Sequence, residues 1–380
     1  MQNKTMGVKR EILILVSLLH LFVDFICIGI VVNTYKDIHH TQQLHRELVV
    51  IIYNCAAFLT QPIFGFFVDK IKDKRFYIPM VLFSGAALII ASLLAFTGLD
   101  DFSLATVLVM LLLGLGNSCF HVVGGKESLT LSKKSTPGGL FVSCGAIGVG
   151  LGILISSASS KSLIFSLMVS IPIFALCLLY ASSRYKINQD EEDKLLEEQQ
   201  KVTTPSENDS LKTTLICLTI VCLAIFMRSF LGSYVNHSIK IDDYAGLLFL
   251  LSVSAFLGKA LGGIIEDHFG PYILIAISGV LGIVSACSKN VIPLDYIFIF
   301  SVNLLMPFTL NFVRKLFPNK EAFAFGLAAA FLVPGYYMAQ FFKMHDLVYM
   351  LVTILLVIIT ALMLAACCYL RKTKKQCSEK

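Results

Sequence analysis

Apolar stretches of roughly 20 residues recur from one end of this 380-residue chain to the other. That length lets a helix cross about 30 Å of hydrocarbon. Lipid offers no partners for exposed N–H and C=O groups, so such segments must satisfy their backbone internally, as helices. The strand-length alternation of a membrane barrel is missing. Only 15% of the residues are charged and 56% are hydrophobic, too few charges to cover a soluble protein of this size. The pattern predicts an all-α polytopic membrane protein with twelve transmembrane helices. They fall near 11–33, 47–68, 76–97, 103–125, 137–158, 163–183, 213–235, 244–265, 271–288, 293–313, 321–342 and 346–370.

The first stretch, Glu11 to Val32, is too long for a signal-peptide core and no small-residue cleavage site follows it, so it reads as the first span. Neither end carries a lipidation box. The 11 cysteines lie almost entirely within apolar spans and form no CxxC pair. A disulfide framework or a cysteine zinc site is not expected, and these residues read as small polarizable hydrophobes.

Between the sixth and seventh spans the composition changes. Residues 184–212 are polar, with Asp190, Glu191, Glu192, Asp193, Glu197 and Glu198 followed by Thr203, Thr204 and Pro205. This reads as a solvated cytoplasmic linker, with room for one short helix around Lys194 to Lys201. It divides the chain into an N-terminal six-helix half, 1–183, and a C-terminal half, 213–380, that ends in a basic tail.

Orientation follows from the basic residues. With the N-terminus inside, 23 of the 31 Lys and Arg residues fall in inner tails and loops, and six in outer loops. Arg228 and Lys259 remain, both inside spans. Both termini are therefore expected in the cytoplasm of a cell-membrane protein. The net charge of +6 is accounted for by topology and does not indicate nucleic acid.

The halves repeat. The segment after span 2 runs from Gly65 to Asp69 and on through Lys70, Lys72, Lys74 and Arg75. The segment after span 8 runs from Gly263 to Asp267, then His268 and Gly270. The two aspartates stand 198 positions apart, which superposes span 1 on span 7 and span 2 on span 8. Two parallel six-helix repeats are an arrangement in which one half can rock against the other around a midplane site. Both segments resemble the signature loop of the major facilitator superfamily, Gly-x-x-x-Asp-Arg/Lys-x-Gly-x-Arg/Lys-Arg/Lys. The first copy has Lys72 in place of the family glycine, and the second has His268 for the basic residue and lacks the final basic pair. The resemblance covers the whole chain. It implies two pseudo-symmetric halves, transport by alternating access, and a gating role for Gly65, Asp69, Lys70, Lys74, Arg75, Gly263, Asp267 and Gly270. From the residues alone, Asp69 and Asp267 each precede a helix N-terminus, where a carboxylate meets free N–H groups and the helix dipole.

Span 4 contains Gly114, Gly116, Asn117, Phe120 and His121. This resembles the span-4 motif of the fosmidomycin-resistance-like efflux proteins, with Val122 where that group has proline. Asp24, four residues after His20, also resembles that group's first span. Asp24 lies roughly 20 Å from the inner surface by helical rise, a depth at which charges face a cavity or a partner. His20 shares its face. The pair could relay a proton or simply fix helix packing. Arg228, 204 positions after Asp24, stands near the repeat position of Asp24. It could bind an anionic group, pair with Asp24 across the cavity, or form a structural interhelical pair. Lys259 could snorkel toward the inner surface. His121 and Asn117 are a functional pair or satisfied core groups. Asn54, Asn303 and Gln340 are further cavity candidates, with interhelical hydrogen bonding as the simpler role. The span-5 glycines, Gly145, Gly148, Gly150 and Gly152, read as a surface for close helix contact.

These readings converge on a secondary active transporter: proton-coupled export of a small polar or amphiphilic compound by a monomer, without cofactor or metal. No Walker A loop is present, so ATP is not the expected energy source. The alternatives are an importer of a small anionic solute, a transporter-shaped receptor, and an intramembrane enzyme. HExxH and GxGD motifs are absent.

Overall fold

The computed structural model describes residues 2–38, 42–71, 73–96, 99, 101–158, 163–187, 211–237, 245–287, 292–341 and 346–378. These form twelve helical rods, α1 to α12. In the first half they are α1 Gln2–Asp37, α2 Gln43–Val68, α3 Tyr77–Phe96, α4 Leu104–Leu131, α5 Thr136–Ala158 and α6 Leu163–Tyr185. In the second half they are α7 Leu211–His237, α8 Ala245–Phe269, α9 Pro271–Ala286, α10 Ile292–Leu316, α11 Glu321–Phe341 and α12 Asp346–Ser378. Eleven are long and apolar enough to cross a membrane, and α9 is a shorter apolar helix. The expected short helix near Lys194–Lys201, and the outer-loop positions Lys161, Lys240, Lys289 and Lys343, lie outside the described residues.

Large apolar side chains point outward along the bundle, including Ile171, Phe174, Val280 and Leu362, each more than half exposed. In water such a surface would aggregate. Here it is the surface that meets lipid. Inside, Tyr77, Tyr180, Phe120 and Phe141 are fully buried.

Two helices are interrupted where proline removes a backbone donor. In α2, Pro62 cannot donate to the carbonyl one turn back, and residues Cys55–Leu59 widen into a π turn. The Thr60 hydroxyl donates to the Ala56 carbonyl at 2.6 Å. In α11 the helix breaks at Phe331, just before Pro334, and resumes at Leu332. At the other extreme, Gly270 adopts φ +83° ahead of Pro271, so α8 ends and α9 begins without a longer loop.

The start of α1 and the end of α12 share one face, termed the terminal face below: Ser183 near the end of α6 donates to Glu11, and Arg371 donates to the Lys315 carbonyl at the end of α10. The halves meet there along α2 against α11 and α5 against α8. The sequence ended span 4 at 125, but α4 continues to Leu131. Lys126 and Glu127, counted from the sequence as loop residues, are therefore buried in its last turns. Arg184, assigned from the sequence to the linker, belongs to the end of α6, where its Nε lies 3.4 Å from the Glu127 carboxylate.

Candidate functional site

Helix periodicity assembles the deepest polar cluster. His20 and Asp24 are one turn apart on α1, with His20 Nε2 3.2 Å from Asp24 Oδ2. Asn117 and His121 repeat that spacing on α4. His121 Nε2 lies 3.5 Å from Asp24 Oδ1. Asn117 Nδ2 donates to the same oxygen at 3.2 Å and to the Tyr53 hydroxyl of α2 at 3.3 Å. The His20 and His121 rings meet edge-on, with centroids 4.4 Å apart. Side chains of α1 and α4 thus converge on one carboxylate that is 15% exposed, with Tyr53 of α2 behind Asn117.

The fourth wall is α5. The Phe141 carbonyl accepts from His20 Nδ1 at 2.8 Å. One turn on, Gly145 faces the pair directly. A Cβ at Gly145 would come 2.5 Å from Asp24 Oδ2 and closer still to His20 Nε2. Gly148 and Gly152 let the α1 backbone approach along the same stripe, while Gly150 faces Ser252 of α8. The glycines do allow close packing, as the sequence suggested. Gly145 additionally makes the space in which the ionisable pair sits.

Asp24 and Arg228 are not joined. The partners of Asp24 are His20, His121 and Asn117. Arg228 instead lines a small cleft inside the second half, among Ser278, Ser301 and Thr360, and its Nε has no acceptor. The reason is helical phase. Arg228 is six residues beyond the strict repeat position of Asp24, which rotates it by about 240° to another face. That strict position is Cys222, a buried residue. Lys259 of α8 is half-buried and within electrostatic range of Asp24, His121 and Arg228.

The amide candidates separate. Asn54 donates to the Tyr337 hydroxyl at 3.1 Å, a bond between α2 and α11 and hence between halves. Gln340 hydrogen-bonds Tyr336. Asn303 turns back on its own helix, donating to the Ile299 carbonyl at 2.8 Å, and lies outside the cluster.

At the terminal face, the signature aspartates cap helices of the opposite half. Asp69 accepts from the amides of Ala322 and Phe323 at 3.1 and 2.8 Å, at the start of α11. Asp267 accepts from the amides of Ser135 and Thr136 at 2.8 and 2.9 Å, at the start of α5. The sequence placed each carboxylate before the following helix, but the amides it satisfies belong to the partner half. Gly65 and Gly263, one turn earlier, leave room for those same helix ends: a Cβ would lie 2.7 Å from Phe323 N or 2.9 Å from Thr136 Cα. Lys70 lies over the Phe66 ring at 4.1 Å, and Arg75 is exposed, so neither bridges the halves. The Lys74 side chain lies outside the described residues.

Sequence reasoning missed several buried contacts at this face. Lys126 Nζ lies 2.8 Å from Asp69 Oδ1. Arg314 of α10 donates to the carbonyls of Leu129, Ser132 and Lys133, capping the end of α4 across the interface. Tyr180 donates to Glu127 at 2.9 Å. The available signal for the α4 contacts was the absence of Gly, Pro, Asn or Asp between Gly125 and Ser132, which extends the helix.

Comparison with known proteins agrees with this architecture. Residues 13–339 match the family model of the Major Facilitator Superfamily. The fold superposes on the structure of the superfamily's proton:xylose symporter XylE bound to 6-bromo-6-deoxy-D-glucose. The TM-score is 0.66 at 13% identity, over 95% of each chain. At that identity the likeness speaks for the fold alone. Comparison with curated proteins returns no significant match. The chain belongs to the major facilitator superfamily of secondary transporters.

Proposed function

We propose that this protein is a proton-coupled secondary transporter in which Asp24, flanked by His20 and His121, is the coupling group. The supporting observation is a buried carboxylate with an imidazole on each side at 3.2 and 3.5 Å, a cluster that can accept or release a proton as access alternates. The hydrogen bonds between halves at the terminal face describe a state closed on that side. In the proposed orientation that side is the cytoplasm of a cell membrane, with both termini inside, and the protein works as a monomer. Export of a small polar or amphiphilic compound against proton entry is the direction the first-span and span-4 motifs favour.

Lys259 and Arg228 make no ion pair among the described residues. Lys259, within electrostatic range of Asp24, and Arg228, in its separate cleft, are two cations that favour a substrate carrying an anionic group, in either direction of transport. The fold neighbour XylE is a proton symporter, which is consistent with proton coupling.

Reconstitution into proteoliposomes tests the reading. Candidate solutes are first chosen by thermal shift of the purified protein at several pH values. A shifted solute should then drive proton flux, and an imposed pH gradient should drive its accumulation. Solute movement indifferent to the pH gradient refutes proton coupling. Reporter fusions after Lys70 and Arg371 should both read cytoplasmic, and an external reading at either reverses the orientation.

A further inference from the structure

The tautomers within the central cluster carry a requirement beyond proton coupling. His20 Nδ1 lies 2.8 Å from the Phe141 carbonyl, and His121 Nδ1 lies 2.9 Å from the Asn117 carbonyl. A carbonyl oxygen only accepts, so each Nδ1 must carry the proton. Each neutral ring therefore presents a bare Nε2 lone pair, and both lone pairs face the Asp24 carboxylate. Two bare nitrogens and an anion gathered in one buried shell repel one another unless a cation lies among them.

Protons can supply that cation, but the geometry also suits a metal. Imidazoles that bind metals through one nitrogen typically anchor the other N–H on a carbonyl or carboxylate, which fixes tautomer and ring direction. Ligands held about 2.1 Å from one ion lie about 3.0 Å apart at octahedral angles and about 3.4 Å apart at tetrahedral ones. His20 Nε2 lies 3.2 Å from Asp24 Oδ2 and His121 Nε2 3.5 Å from Asp24 Oδ1, and the three donor atoms lie within 4.8 Å of one another, so a small inward shift of the side chains would bring them onto one ion. Two imidazoles and a carboxylate form a donor set for divalent first-row transition ions that leaves further positions open. The shell is also under-satisfied elsewhere, since the fully buried Asn117 Oδ1 has no hydrogen-bond donor.

We propose that His20 Nε2, His121 Nε2 and the Asp24 carboxylate form a binding site for a divalent transition-metal ion of the Zn²⁺ and Co²⁺ class. Its open positions would take water or a donor atom of the substrate. Metal and protons occupy the same lone pairs, so each displaces the other. Metal entry therefore expels a proton where the cluster holds one, and a proton that enters weakens metal binding. The proposal shares residues with the coupling reading but rests on nitrogen geometry, so either can fail alone.

The test uses full-length protein in detergent, stripped with chelator and titrated with CoCl₂, then with ZnCl₂ in competition. One equivalent of Co²⁺ should bind with a visible d–d band, be displaced by Zn²⁺, and release protons to a weakly buffered solution. Asp24→Asn and His121→Gln should each weaken binding by at least about tenfold, the scale of losses seen even for second-shell changes. His45→Gln and His268→Gln, outside the cluster, should leave it unchanged. A wild-type protein that binds no Co²⁺ overturns the proposal without recourse to any variant. So does binding whose affinity and spectrum survive both cluster substitutions. Co²⁺ binding without proton-driven solute accumulation under metal-free conditions sinks the coupling reading alone.

Discussion

Asp69 and Asp267 are related by the internal repeat, and each carboxylate caps the first turn of a helix in the opposite half. This gives the signature loop a physical content. Glycine allows a foreign helix end to approach, and the aspartate four residues later satisfies its free amides and meets its positive dipole. Hydrogen bonds to a charged group are worth about 1.5–3 kcal/mol each. Two such caps favour the arrangement in which the halves meet at this face.

Asp267→Asn should therefore weaken closure without touching the cluster. Transport should slow severalfold while equilibrium solute binding stays nearly unchanged. Asp69→Asn should behave likewise and also melt at a lower temperature, because Lys126 would remain buried without its 2.8 Å partner. Breaking a buried pair in this way costs about 3–5 kcal/mol. Adding Lys126→Met should recover part of the loss. If Asp69→Asn and Asp267→Asn melt alike, the Lys126 contact contributes little.

Gly145→Ala should be more damaging than an apolar-to-apolar change suggests. The methyl group would occupy space held by His20 and Asp24, so the pair must separate. Proton-driven accumulation should fall at least about tenfold, the effect of raising a barrier by about 1.4 kcal/mol. Gly279→Ala is the control, since its Cβ would meet only Ala361, at ordinary contact distance. Normal transport by Gly145→Ala would mean that the His20–Asp24 contact is dispensable.

Much of this was legible in the sequence. All twelve rods begin and end close to the expected spans, except where Gln2–Lys9, Lys126–Leu131 and Arg371–Ser378 continue as helix past the apolar stretch. Hydropathy marks where lipid ends, and it does not mark where a helix ends. Asp24, His20, His121 and Asn117 were each visible as polar residues at depth. Their convergence was not, because it depends on the rotation of α1, α4 and α5 about their axes. The same limitation produced the Arg228 pairing: a six-residue departure from the repeat is small in sequence and most of a turn in angle.

A second buried ion pair offers a stability test away from transport. Arg184 and Tyr180 of α6 both reach Glu127 of α4. Glu127→Gln should destabilise the protein more than loss of a single hydrogen bond does, since it removes the charge beside the buried Arg184 and alters the Tyr180 acceptor as well. Tyr180→Phe, which deletes one hydrogen bond, should cost about 1 kcal/mol. Thermal denaturation in one detergent ranks the two, and the reverse order would place the Glu127 charge in a better-solvated setting than the 7% exposure of its side chain implies.

Asp24 decides the central reading. If it carries the coupling proton, Asp24→Asn should abolish accumulation driven by a pH gradient yet preserve exchange of solute down its own gradient. The amide keeps the shape of the carboxylate but cannot change charge. Arg228→Lys retains charge and loses the planar fork, so it should weaken binding of an anionic solute while leaving coupling intact. Double-mutant cycles then report on connection. Asp24→Asn with His121→Gln should be non-additive by about 0.5–3 kcal/mol in stability, as expected for residues in one network. Asp24→Asn with Arg228→Gln should be additive to within about 0.5 kcal/mol, because those side chains share no contact. Coupling in the second cycle but not the first would mean that the two charges meet directly in the working protein, and that the imidazoles are bystanders.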